Sequence, residues 1–287
     1  MTAKYPDFSG ISLDMRSEIE PLLKGLKTGI SEFTFANIYL FRATHSYRIA
    51  RLGSGRRLIA GEDRGKGFFM LPWGIEEASV MDALFKEFSF MKNATEAEAM
   101  ELEGMGYKTS GDRDNYDYVY LRDELAGLHG RRFHRMKNLV NGFSLKYRCE
   151  TRPLLKDNAK DALLALEEWR RESGIEGDFE AAKEAVALAD ELVLCGFVYY
   201  IEGSPVGFTL GEELSPGTFA VHFEKALARY KGLAQAVNQS FAAMLPERYR
   251  YINREQDLGD PGLRQAKESY HPSMFIKKYR VGSRESL

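Results

Sequence analysis

Three side chains in the last third of the sequence have the chemistry of acyl transfer: His222, Glu224 and Tyr270. Passing an acyl group to an amine or hydroxyl needs a base for the acceptor proton and donors that polarise the carbonyl. It also needs an acid for the leaving group. Thr218–Lys225 has the β-branched and aromatic content of a strand, and His222 and Glu224 lie two residues apart in it. Both are therefore predicted on one face, and either would serve as base. Tyr270, a phenol with a proton to give, lies in a helical segment before the last strand. The plainer alternative is a structural polar role for His222 and Glu224, and for Tyr270 a ring packed in the core with its hydroxyl at the rim.

Beyond this strand the sequence reads Arg229-Tyr-Lys231-Gly232-Leu233-Ala234, and then Leu233, Val237, Phe241 and Leu245 recur at helical spacing up to Pro246. A small-residue loop feeding a helix N-terminus presents backbone N–H groups and the positive end of the helix dipole. That suits a phosphate or pyrophosphate, with Gly232 allowing close backbone approach and Arg229 and Lys231 adding charge. Phe223, in the strand ahead of the loop, joins the candidate set. Asn253, ending the next strand, would bond the donor arm. The candidate donor-binding set is thus Phe223, Arg229, Lys231, Gly232, Leu233, Ala234 and Asn253. Glu255 and Asp257 would bind an acceptor amine or pair with Arg254 and Arg264. The bland alternative for the loop is a solvated basic turn.

A second charged feature lies near the midpoint. No acid occurs from Leu125 to Arg148, while Arg131, Arg132, Arg135 and Lys137 cluster there. Phe133, Met136, Val140 and Phe143 form an apolar stripe at helical spacing, with the bases mostly opposite. This is a basic amphipathic helix. It is either a connector with a solvated face or a dock for a polyanion such as tRNA, a nucleotide or an anionic lipid headgroup.

The whole chain sets the frame. Its 287 residues suffice for two domains, and 44% hydrophobic with 29% charged residues is a globular composition. A net charge of −2 gives no global pull toward nucleic acid or membrane, so such binding must be local. Two cysteines, Cys149 and Cys195, provide neither a disulfide framework nor a metal cluster, and no metal site is expected. The first residues lack the apolar core of a signal peptide, and the longest nearly apolar run, Leu192–Ile201, is about half a membrane span. A cytoplasmic protein with no integral membrane segment is expected. No G-x-S-x-G elbow, H-E-x-x-H pair or full Walker loop occurs.

Helices and strands alternate in the first half: a helix at 12–24, strands at Arg57–Ala60 and Phe68–Leu71, helices at about 76–90 and 94–104, and a strand at Asp117–Leu121. Ser31–Arg51 mixes helix and strand signals. The second half reads as two helices, three antiparallel strands (Phe197–Ile201, Val206–Glu212, Thr218–Lys225), a helix, a strand at Arg250–Asn253, a short helix near Pro261–Ser269 and a last strand at Ser273–Tyr279. That order resembles the GNAT acyltransferase fold, whose donor loop Arg/Gln-x-x-Gly-x-Gly/Ala is matched by Arg229-x-x-Gly232-x-Ala234. The resemblance implies that the strand Thr218–Lys225 splays from Arg250–Asn253 with the donor arm between them, and that a strand N–H, at Phe223, holds the donor carbonyl. It also implies that Tyr270 stands where many such enzymes carry a tyrosine general acid.

Several segments resemble one group more specifically, the DUF2156 family of bacterial proteins akin to the C-terminal catalytic domain of phosphatidylglycerol lysyltransferases. They are Ser31-Glu-Phe-Thr-Phe-Ala-Asn37, Asp112-Arg-Asp-Asn-Tyr-Asp-Tyr-Val-Tyr120, Gly130-Arg-Arg-Phe-His-Arg-Met-Lys-Asn138, Tyr251-Ile-Asn-Arg-Glu-Gln-Asp-Leu-Gly259 and Gly262-Leu-Arg-Gln-Ala-Lys-Glu-Ser-Tyr-His-Pro272. The resemblance implies an α+β protein of two tandem GNAT-like domains, each a mixed, mainly antiparallel sheet flanked by helices. The expected division is residues 1–128, a basic connecting helix at 129–148, and 149–287 with the donor site. It implies transfer from acyl-CoA or aminoacyl-tRNA to a small-molecule or lipid acceptor, reached by peripheral membrane contact. The rival readings are a non-catalytic GNAT module binding a nucleotide, RNA or a partner protein, and an RNA-binding protein using the basic helix alone.

Overall fold

The computed structural model describes residues 2–285. The chain begins with β1 (Ser9–Gly10), α1 (Arg16–Lys24) and α2 (Phe35–Leu40), followed by the meander β2 (Arg48–Arg51), β3 (Arg57–Asp63) and β4 (Lys66–Met70). Next come α3 (Ala78–Glu87), β5 (Phe90–Ala94), α4 (Glu96–Gly104), β6 (Lys108–Gly111) and β7 (Asp117–Leu121). Then α5 (Arg122–Gly127), α6 (His134–Lys146), β8 (Cys149–Pro153), α7 (Ala159–Ser173) and α8 (Phe179–Ala187) lead to a second meander. That meander is β9 (Cys195–Ile201), β10 (Ser204–Ser215) and β11 (Thr218–Ala226). The chain closes with α9 (Leu233–Met244), β12 (Tyr251–Asn253), α10 (Pro261–Glu268), β13 (Met274–Ile276) and β14 (Tyr279–Gly282).

Local chemistry explains the boundaries. The ambiguous stretch 31–51 resolves because Thr34 caps α2, its hydroxyl accepting the Asn37 N–H, and the β-strand signal is confined to β2. Thr95 and Glu98 form a reciprocal capping box that starts α4. Leu233, Val237 and Phe241 are buried along one face of α9, as their spacing requires.

The chain folds as two compact units, each with a seven-stranded sheet among the described residues. Unit 1 is Met1–Asp117 with Gln256–Asp260 and Ile276–Leu287, and its sheet has the order β1-β2-β3-β4-β5-β14-β6. One face carries Phe69, Leu71 and Met91 against Met81 and Leu84 of α3 and Leu102 of α4. Unit 2 is Tyr118–Glu255 with Pro261–Phe275, and its sheet is ordered β13-β7-β12-β11-β10-β9-β8. Here Phe219 and Val221 of β11 pack with Phe241 of α9 and Phe133, Met136 and Val140 of the basic segment. Each sheet contains a parallel pair, β4 with β5 and β11 with β12, that lies between antiparallel neighbours.

Two expectations are corrected. A single cut at 128, with residues 129–148 as a connector, does not describe the units. α6 buries its apolar stripe within unit 2, and segments from both ends of the sequence complete unit 1. The expected last strand, Ser273–Tyr279, is two strands in different sheets. Lys278 separates them: it is fully buried, pairs with Asp117 at 2.6 Å, and also binds Glu32.

Candidate active site

The site in unit 2 is built where β11 and β12 part. Their parallel register ends at Ala220↔Asn253, and one residue farther β11 carries a bulge against β10. Leu210 faces Phe223 and Gly211 faces Val221, so His222 is the extra residue with no partner across the pair. A bulge leaves local backbone groups out of the ladder and redirects side chains. Here it falls at His222–Phe223, the position where the sequence suggested a strand N–H for a donor carbonyl.

The bulge also breaks the two-residue alternation on which a shared face for His222 and Glu224 depended. The His222 ring lies between two carboxylates, Nδ1 2.7 Å from Glu255 and Nε2 3.0 Å from Glu212. Burial alone would lower its pKa, but the two carboxylates reverse that and raise it to about 10. An imidazole held as imidazolium with both nitrogens donating has no lone pair to offer. His222 is therefore a buried cation rather than a base, correcting that expectation.

Glu224 turns instead to a different set. Its Oε1 pairs with Arg254 Nη2 at 2.9 Å, and its Oε2 accepts from Asn238 Nδ2 of α9 at 3.1 Å. The Arg254 guanidinium lies 4.9 Å from the Tyr270 ring centroid and 5.7 Å from that of Tyr120. Burial raises the Tyr270 hydroxyl to about 12, against the opposing pull of Arg254 and with the help of Glu224, so it stays protonated near neutrality. Glu224 and Tyr270, 46 positions apart in the sequence, thus belong to one cluster. Two buried polar atoms in it have no partner, Arg254 Nη1 and Asn238 Oδ1. Together they offer one donor and one acceptor to a ligand.

Asn253 is fully buried, and its Oδ1 accepts the Glu255 N–H at 2.8 Å, fixing Glu255 in the left-handed conformation (φ 56°) that carries it to His222. It braces the loop rather than reaching toward a donor arm. Phe223 is likewise buried. Glu255 is committed to His222, and Asp257 in unit 1 pairs with Arg113 at 3.1 Å.

The Gly232 loop departs from expectation as well. Arg229 is held by Glu172 (2.6 Å) and Glu168 (2.8 Å) of α7, so its charge is already matched. Gly232 has φ 92°, and a Cβ there would meet the Leu139 carbonyl of α6 at 2.4 Å and Phe143 at 3.0 Å. The glycine thus makes room for α6. Leu233 is buried, whereas Lys231 and Ala234 are exposed. Arg131, Arg132, Arg135 and Lys137 are all exposed too, and Arg132 pairs with Glu124. Gly232 touches α6, so Lys231 adds an exposed positive charge beside that helix.

Comparison with known proteins decides the family. The sequence profile of the phosphatidylglycerol lysyltransferase C-terminal family matches residues 23–282. The chain belongs to that family. No curated protein matches it. Among solved structures, a conserved protein of unknown function from Bacteroides thetaiotaomicron is similar with TM-score 0.86 and 28% identity, over 96% of this chain and 99% of that one. The DUF2156 C-terminal domain of a putative lysylphosphatidylglycerol synthetase from Agrobacterium fabrum superposes with TM-score 0.67 at 10% identity, over 94% and 92%. A tandem GNAT protein from the clavulanic acid biosynthesis pathway gives TM-score 0.52 at 8% identity, over 98% and 99%. As in these relatives, the fold of this lysyltransferase-family chain is an α+β tandem of GNAT-like units. No helix among the described residues is long and apolar enough to cross a membrane.

Asn238 and Arg254 escaped sequence reasoning as site residues. Asn238 had a signal: it is a polar residue on the inner, apolar face of α9, between Val237 and Phe241. Arg254 had none, since it sits in a run of charges that reads equally well as a solvated loop.

Proposed function

We propose that this chain is an aminoacyltransferase, with chemistry at the Glu224–Arg254–Tyr270 cluster and aminoacyl-tRNA as donor. The carrying observation is the pair of unpartnered buried atoms, Arg254 Nη1 and Asn238 Oδ1. An aminoacyl ester supplies their complements, a carbonyl oxygen for the guanidinium and an α-amine for the amide oxygen. In this reading Glu224 takes the proton of the acceptor hydroxyl as its oxygen attacks the ester carbonyl carbon. Arg254 stabilises the oxyanion. The bond to the ribose oxygen then breaks, and Tyr270 returns a proton to that oxygen.

The donor follows from how the loop is used. A coenzyme A pyrophosphate would need open backbone at Gly232 and a free Arg229, but α6 and α7 occupy both. Arg131, Arg135, Lys137 and Lys231 are exposed charges suited to the tRNA backbone instead. The family's name supplies the acceptor class, the headgroup hydroxyl of an anionic glycerol lipid.

The test incubates the full chain with radiolabelled aminoacyl-tRNAs and phosphatidylglycerol vesicles and follows label into the lipid. Glu224→Gln and Tyr270→Phe should each lower turnover about 10²–10⁴-fold. tRNA binding should weaken steeply with salt, and coenzyme A should leave the melting temperature unchanged. Transfer from acetyl-CoA, with none from charged tRNA, would overturn the donor assignment.

A further inference from the structure

Unit 1 contains its own parted parallel pair. β4 and β5 stay in register at Phe68↔Phe90 and Phe69↔Met91, and then β5 runs on through Lys92 and Asn93. Asn93 adopts a left-handed backbone (φ 59°), and its Nδ2 lies 3.4 Å from Met70 Sδ on β4. Its Oδ1 is buried without a partner, in a side chain only 2% exposed. A buried acceptor left open in this way points to a donor that is not part of the chain.

A second open acceptor lies in the same unit. Glu32, 4% exposed, uses Oε2 for Lys278 and for the Ser31 hydroxyl (3.2 Å), while its Oε1 is buried and has no partner. Asp117 completes that arrangement, taking Lys278 at 2.6 Å and the Ser31 N–H at 2.8 Å. Lys278 is thus fully engaged with two carboxylates.

Lys92 is not. Its side chain is 6% exposed, and its ammonium lies 5.3 Å from the Phe68 ring centroid. Glu32 is the strongest attractive charge that it feels, yet among the described residues the two form no ion pair. A largely buried ammonium and a buried carboxylate oxygen, each without an ion-pair partner among the described residues, are costly unless something polar serves them.

We propose that unit 1 binds a small zwitterion of the α-amino acid type, its ammonium received by Glu32 Oε1 and Asn93 Oδ1 and its carboxylate by Lys92. The complementarity is of kind and count. Two acceptors lacking hydrogens match the N–H groups of an ammonium, and one cation lacking a carboxylate matches the acid. Phe68, whose face the Lys92 ammonium approaches, walls the site. The site is independent of the acyl-transfer chemistry assigned to unit 2, since none of its residues belongs to that cluster.

The experiment is calorimetric titration of the full chain with the twenty common L-α-amino acids, with their methyl esters, and with acetate and methylamine as half-ligands. At least one free amino acid should bind, its ester and both halves at least tenfold more weakly. Lys92→Met and Asn93→Gly should each weaken binding tenfold or more, and Glu224→Gln should leave it unchanged. Glycine suits the backbone at 93, so that variant decides the matter should Lys92→Met fail to fold. Binding of no amino acid would mean that water alone serves these groups, and would overturn the proposal. So would affinity that survives both unit 1 variants, or affinity lost only in Glu224→Gln, which would locate the ligand in unit 2. An ester binding as tightly as the free acid would also overturn it, removing the role of Lys92 and assigning the site to an aminoacyl end.

Discussion

In each unit the register of a parallel strand pair gives way to a basic residue and then a residue with left-handed backbone: Lys92 and Asn93 within β5, beyond its last partner on β4, and Arg254 and Glu255 just after β12. The two basic residues have opposite circumstances. Arg254 finds Glu224 on the adjacent strand at 2.9 Å, two residues past the bulge at His222. No bulge interrupts the register of β4 with β3, and among the described residues Lys92 forms no ion pair. One extra residue in a strand therefore separates a paired cluster from an open one. Repetition of the fold supplies the gap between strands, and local register decides what chemistry it holds.

The sharpest way to break this comparison is to truncate both cations. Arg254→Met strands the Glu224 carboxylate in a half-buried site and should cost about 3 kcal/mol, whereas Lys92→Met leaves no broken pair and should stay within about 1 kcal/mol of wild type. Denaturant unfolding measures both, and equal losses would show that the two sites are alike.

The His222 cation gives a pH signature that belongs to unit 2. Its folded pKa, about 10, lies above the ordinary value of 6.5, so the protonated form is bound more tightly in the native state. The resulting stability is fully present below pH 6.5 and is lost as pH rises toward 10, on the order of 5 kcal/mol in all. Calorimetric melting from pH 6 to 10 should show that decline, and Glu212→Gln should flatten it. A flat wild-type profile would mean that His222 is neutral and again a candidate base.

Gly232→Ala tests whether the loop serves packing or phosphate. The new methyl group would press on the Leu139 carbonyl at a positive φ, so stability should fall by about 2 kcal/mol. Loss of coenzyme A binding without loss of stability would favour the phosphate role instead. Arg229→Ala should have the smallest effect, since the pair with Glu168 and Glu172 is largely exposed. About 0–1 kcal/mol is expected, fading with salt, with little change in transfer.

The sequence carried more of the fold than of the site. The second meander, α9 and α10 were readable because alternation, helical spacing and turn residues are local. The apolar stripe of α6 was readable for the same reason, and all four of its residues are buried. Glu224 and Tyr270 were legible as residue types in suitable elements. Their meeting through Arg254 was not, because it depends on where the strand after Pro246 docks. The role of Gly232 was also hidden: the same pattern suits a phosphate loop and a close helix crossing, and only the position of Leu139 tells them apart.

By itself, then, the sequence determined which segments become strands and helices, the family to which they belong, and the side chains able to do acyl chemistry. Those properties follow from neighbours along the chain. The tertiary structure alone decided that Ser273–Tyr279 splits between two sheets around Lys278, that His222 is a cation rather than a base, and that Lys92 feels the charge of Glu32 without an ion pair among the described residues. Each of these turns on a charge meeting a partner more than thirty residues away in sequence. Coulomb energy and desolvation depend on distance in space, which spacing along the chain does not encode.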